Sequence, residues 1–173
     1  MKRVVLFSIV ILCSFGLFSG VSGTYIGIET NPFSTGALLG ISDGSITLEA
    51  SVQYPLVPTL VVAAMENVWL FPMVVWIASA QSRVFSNDHF GISVGPCSWL
   101  LSKGIERIVV ATYGLDMDVE FNQSEESGHW AIGFMLPVVV QGEMVNSSPT
   151  GVAWAWDEFG FALIPTVKMF WEF

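Results

Sequence analysis

The chain has 173 residues, 53% of them hydrophobic and only 12% charged, with a formal net charge of −9. That length suits one domain, and so few cations exclude nucleic-acid binding through phosphates. Of the two cysteines one lies in an apolar leader, which excludes an internal disulfide and a cysteine metal cluster downstream of it.

Residues 1–23 read as a secretory signal peptide. Lys2 and Arg3 make a charged start, 4–18 is an apolar run, and Val21, Ser22 and Gly23 are small residues suited to cleavage. A membrane anchor is the alternative, but the run is short of the ~20 residues a spanning helix needs. Cys13 follows the bulky Leu12, which speaks against a lipoprotein. Cleavage would leave four basic residues (Arg83, Lys103, Arg107, Lys168) against fifteen acids, about −11 in net charge. Cys97 then reads as a small buried hydrophobe.

From there a single β-barrel domain over 24–173 is expected. Residues 25–30 form a short strand with Ile26 and Ile28 on one face and Gly27 and Glu29 on the other; 31–36 is a loop by its turn residues. Asp43-Gly44 between 37–42 and 45–54 is a hairpin signal. The second arm alternates Ile46, Leu48, Ala50, Val52 and Tyr54 with Thr47, Glu49, Ser51 and Gln53. Residues 56–80 are apolar on both faces. A helical membrane hairpin is the rival there, but Glu66-Asn67 splits the run into pieces too short to span as helices. Two strands, near 57–65 and 68–80, are expected instead. A polar loop follows at 81–88, then a strand at 89–95.

Residues 97–113 read equally as a short helix or as strand. Leu115, Met117, Val119 and Phe121 then alternate with Asp116, Asp118, Glu120 and Asn122. After a polar loop, 129–145 alternates for longer, with Glu143 on its polar face. Val152, Trp154 and Trp156 alternate with alanines, and a turn is expected at Asp157-Glu158. The last stretch, 159–173, places Phe159, Phe161, Leu163, Pro165, Val167, Met169, Trp171 and Phe173 on one face. Opposite them stand small or polar residues including Thr166, Lys168 and Glu172. Period 2 marks a strand with one apolar face. Fifteen residues is long against the usual ~5–6, whereas a tilted bilayer-crossing strand needs roughly 9–11.

Alternation by itself does not say which face points inward. Composition does: 12% charge cannot clothe a soluble barrel, but it can fill a narrow polar lumen. The inward set is then Glu29, Glu49, Asp116, Asp118, Glu120, Glu143 and Lys168, a polar network bracing the lumen. A cation site is the sharper reading of the Asp116, Asp118 and Glu120 run, although the spacing is not that of an EF-hand. No cofactor and no bound metal are implied. Trp69, Phe71, Trp130, Trp154, Trp156, Phe170 and Trp171 suit interfacial girdles; core packing is the alternative. The tally of ten or eleven segments reduces to eight strands by merging, with ten as the other even count. An eight-stranded barrel has no aqueous channel.

The C-terminal stretch resembles the terminal signal of bacterial outer-membrane β-barrels. Val167, Met169, Trp171 and Phe173 carry the resemblance, and Pro165 departs from it. With the signal peptide and the alternating strands, the chain resembles small barrels of the OmpX and OmpA type. The resemblance implies a closed antiparallel up-and-down transmembrane barrel in the outer membrane of a double-membraned bacterium. It also implies lipid contact, recognition by the barrel-assembly machinery, and a non-catalytic structural, adhesion or ligand-interacting role. One alternative is a secreted or periplasmic barrel or sandwich binding an apolar ligand. A second is a lipid A-modifying enzyme. For that, Asp88, His89 and Ser93 are the candidates, but the His-x-Ser spacing of the deacylases is absent. Asn122-Gln123-Ser124 and Asn146-Ser147-Ser148 match glycosylation acceptors, which mean nothing in a bacterial protein and would count against the outer-membrane reading in a eukaryotic secreted one. If the terminal resemblance is sound, deleting Phe173 lowers the amount of assembled protein in the membrane fraction; normal assembly of the deletion would reject 167–173 as a targeting signal.

Overall fold

A computed structural model describes residues 23–56, 73–103, 107–121, 128–142, 150–160 and 162–172. Among the described residues the strands are β1 (Gly23–Thr30), β2 (Ser34–Ser42), β3 (Ile46–Pro55), β4 (Met73–Ser86), β5 (Phe90–Lys103), β6 (Arg107–Phe121), β7 (His129–Gly142), β8 (Val152–Trp154) and β9 (Ile164–Glu172), and a short helix, α1 (Ala155–Phe159), lies between the last two. Each of β1 to β7 pairs antiparallel with the next, and β9 pairs with both β7 and β1. The ring is therefore a closed, eight-stranded, all-antiparallel barrel. Closure matters energetically because an open sheet would leave a row of unpaired backbone groups at each edge.

The extra strand lies outside the ring and has a simple origin. One edge of β7 is shared: residues 129–135 pair with β9, and 139–141 pair with β8. Between the two, the chain makes the one-turn helix α1 and reverses at Gly160, whose φ of 71° suits a residue without a side chain. Asp157 and Glu158 sit in the helix's first turn, where the amide dipoles favour negative charge. This corrects the expected 15-residue terminal strand, which begins only at Ile164. Pro165 fits there because β1 pairing starts at Val167, so Pro165 faces a ladder only toward Phe134.

Two further expectations change. Residues 97–103 and 107–113 are strand, so the helical reading fails. The polar segment 81–86 continues β4 instead of looping, and the turn is confined to 87–89, where the Asn87 side-chain oxygen accepts the His89 and Phe90 N–H groups at 2.8 Å. Pro96 does not break β5: the β4–β5 ladder steps from Cys97–Ser79 to Val94–Ser82 and skips the residue that has no N–H. The expected strand at 57–65, with Trp69 and Phe71, and residues 1–22, Glu143, Phe173, Asn122 and Asn146 lie outside the described residues. Gly23, the last residue of the expected leader, pairs with Ser42.

Register shifts mark bulges at Arg83/Phe85, Leu101/Ser102 and Tyr113/Gly114. Such bulges add local twist, and twist helps a sheet curl into a small barrel. Inside, alternation sends Tyr25, Gly27 and Glu29 of β1 inward while Ile26 and Ile28 point out. Part of the interior is an apolar plug of Ile77, Met135 and Ile164 backed by Val75, Cys97 and Trp99. Tyr25, Leu38, Ala131 and Phe170 form a second apolar cluster. An eight-stranded interior is just wide enough for such filling.

The β2–β3 hairpin forms where expected. Asp43 N–H donates to the Ile46 carbonyl, and the Asp43 carboxylate accepts the Ser45 and Ile46 N–H groups, which hold its carboxyl below the usual range. Gly44 adopts φ 88°. Gly44→Ala should therefore cost about 1 kcal/mol, measured by urea unfolding of the folded barrel.

Candidate functional site: a buried charge network in the lumen

Lys168 sits mid-strand on β9, opposite Glu29 of β1 and Ala131 of β7. Its phase along the strand sends it inward, and it is 1% exposed. Because Ala131 and Gly133 beside it are small, its four-carbon stem can cross the lumen. The ammonium reaches Glu49 Oε2 and Asp118 Oδ2 at 2.5 Å each and Asp116 Oδ2 at 3.5 Å. One cation thus ties β9 to β3 and β6.

Neutral donors complete the cluster. Gln81 Nε2 donates to Asp116 Oδ2 at 2.8 Å and Asp118 Oδ2 at 2.6 Å. Tyr25 donates its hydroxyl to Glu49 Oε1 at 2.6 Å, and Ser79 donates to Glu49 Oε2 at 3.3 Å. Tyr25 reaches Glu49 by lying across Gly40, where a Cβ would stand 2.1 Å from the phenol ring. Glu29, 2% exposed, lies beside Ser51 and in the field of Lys168.

Two smaller networks flank this centre. Arg83 pairs with Glu120, and His129 Nδ1 stands 3.8 Å from the other Glu120 oxygen while its ring stacks on Phe170. Asn31 donates to Ser34 Oγ at 2.9 Å and to Gln53 Oε1 at 3.0 Å, and Gln53 donates to Ser51.

Five of the anticipated lumen residues therefore meet: Glu29, Glu49, Asp116, Asp118 and Lys168. Glu120 is inward but belongs to the Arg83 pair, not to a continuous acidic run. The side chains of Lys103 and Arg107 are outside the description. Gln81 and Arg83 were missed because 81–88 reads as a loop, although both stay in phase with Ser79. Tyr25 is in phase with Glu29, a signal that was present. Val167 and Trp171 point outward from β9 with Met169 half-buried. Phe170 is not a girdle residue: it is buried against Tyr25, ring centroids 4.7 Å apart. Asp88 and His89 stand exposed in the turn, whereas Ser93 is buried opposite Asp118 and Arg83. The three do not form a nucleophile, base and acid in contact.

Comparison with protein-family models, curated proteins and solved structures finds no match. Fold and site together define the class: a closed up-and-down β-barrel of eight strands whose lumen is braced by a buried lysine among carboxylates.

Removing one partner of such a buried network leaves uncompensated charge and costs roughly 3–5 kcal/mol. Lys168→Met should lose that much by urea titration. Adding Glu49→Gln and Asp118→Asn to the same chain should recover part of it, since fewer unpaired charges then remain.

Proposed function

We propose that this chain is a small integral β-barrel of the outer membrane of a double-membraned bacterium, non-catalytic, with a structural, adhesion or ligand-interacting role. The observation that carries this reading is the inversion of polarity between wall and lumen. Ile28 on β1 is 52% exposed and Leu115 on β6 is 47% exposed, while Lys168 and Asp116 are each 1% exposed. Leu39, Val52, Met117, Ile132, Phe134 and Val167 continue the exposed apolar surface around the ring. A soluble protein hides such residues and leaves charges outside. A bilayer favours the reverse, because its core is as apolar as the wall and a closed ring gives each of its strands a partner on both sides. The alternative of a soluble barrel with an apolar cavity would need the opposite faces.

Aromatic residues support the reading further. Phe85, Phe121, Trp130 and Trp171 are exposed toward one end, and Phe33, Tyr54, Trp154 and Trp156 toward the other. Nine residue steps separate Trp130 from Val139, the partner of Trp154. That is about 30 Å along a strand, or about 23 Å along the axis at a tilt of ~40°. A membrane barrel's apolar band is about 25 Å tall. Trp154 and Trp156 stack at 4.7 Å, a flat pair suited to the headgroup region. Partners under this reading are outer-membrane lipid and the barrel-assembly machinery that folds such chains.

The test is a charge on the wall. In a bilayer, Leu115→Arg should cost about 2–4 kcal/mol and reduce recovery of a heat-modifiable band in the outer-membrane fraction. In a soluble protein the same exposed substitution would leave stability within about 0.5 kcal/mol and improve solubility. Recovery of wild type in the soluble fraction would overturn the proposal.

A further inference from the structure

Four carboxylates (Glu29, Glu49, Asp116, Asp118) surround the one ammonium of Lys168. Glu49, Asp116 and Asp118 lie close enough for one oxygen of each to fall within 4.8 Å of the others. The centre of that triangle is already taken: Lys168 holds the Oε2 and Oδ2 atoms. The opposite oxygens have a different situation. Asp116 Oδ1 and Asp118 Oδ1 are buried and hydrogen-bonded to nothing among the described residues, and so is the hydroxyl of Thr166, a residue with 0% exposure.

Asp118, Gly133 and Thr166 are cross-strand neighbours on β6, β7 and β9. Asp118 Oδ1 and Thr166 Oγ1 each lie 2.2 Å from the point where a Gly133 Cβ would stand. Two unpartnered oxygens therefore converge over the one residue in that row that has no side chain. Buried polar atoms that lack protein partners call for a ligand or an ordered water. A carboxylate in a low-dielectric interior with excess negative charge favours a cation over water.

We propose that the oxygens over Gly133 form a binding site for one hard cation, of the calcium type, held by Asp118 Oδ1 and Thr166 Oγ1. The donor set is all oxygen, which suits calcium or magnesium and not soft metals. With few protein ligands, water must complete the shell. Magnesium holds its own water tightly in a strict octahedron, whereas calcium accepts irregular oxygen sets. The cation offsets charge that Lys168 cannot, and it couples β6 to β9 one row along the strands from Lys168. This inference rests on the lumen geometry and stands whether or not the wall faces lipid.

The experiment uses the full folded protein, in detergent or in plain buffer if it proves soluble, stripped with a chelator. Calcium, magnesium and sodium are added at matched ionic strength. Radioactive calcium is followed by equilibrium dialysis, and unfolding temperature by loss of the compact band on heating. One calcium per chain and a rise on the order of 5 °C at ~1 mM calcium are expected. Thr166→Val, which keeps the shape and removes the oxygen, should weaken binding tenfold or more while the stripped protein unfolds near the wild-type temperature. Asp157→Asn, exposed in α1, should bind calcium as wild type does. No stoichiometric binding would overturn the site and leave an ordered water as its occupant. An equal effect of sodium would overturn it as well, as charge screening. Unchanged binding by Thr166→Val would place any calcium elsewhere and overturn this assignment.

Discussion

Lys168 is the charge on which the interior depends. A carboxylate moved out of water loses several kcal/mol of hydration, and four of them face the same closed space. Their strands, β1, β3 and β6, stand around the ring at different places. Only a long flexible cation on β9 reaches across to Glu49 and Asp118 together, and only small neighbours leave it room. The network holds opposite walls of the barrel in contact through side chains, in addition to the backbone ladders that join neighbours.

Closure is the second constraint, and it explains the irregular parts. Eight strands must curl tightly, so bulges fall within β4 to β7. A ring with no free edge still has one surplus stretch: the upper part of β7, beyond the point where β9 begins. β8 covers that stretch, and α1 turns the chain back so that β9 can enter the ring. The apolar plug at Ile77, Met135 and Ile164 and the charged layer at Lys168 both occupy the interior of the ring.

Polar interior and apolar wall are two views of one sequence pattern. Each strand offers alternate residues to opposite faces, and the acids share a face with glycine, alanine and serine. Those small residues are as necessary as the charges. Gly40 lets Tyr25 lie flat on the sheet and reach Glu49; Gly133 lets Asp118 and Thr166 approach one another.

The amino-acid sequence by itself determined the β class, the hairpin at Asp43-Gly44, the outward faces of Ile26, Ile28, Leu115 and Met117, and the inward placement of Glu29, Glu49, Asp116, Asp118 and Lys168. Period 2 is a local property of the backbone, and composition indicated which face could be solvated. Tertiary structure alone decided which acids share the ammonium, because register across β9, β7 and β6 is a long-range matter. It decided that Pro96 leaves the strand continuous, since the β4–β5 pairing is open there while Pro96 still stands opposite Leu115 of β6. It also placed Phe170 inside against Tyr25 and shortened the last strand to Ile164. The apolar run through 159–173 looked continuous, but β7 had already given its upper edge to β8.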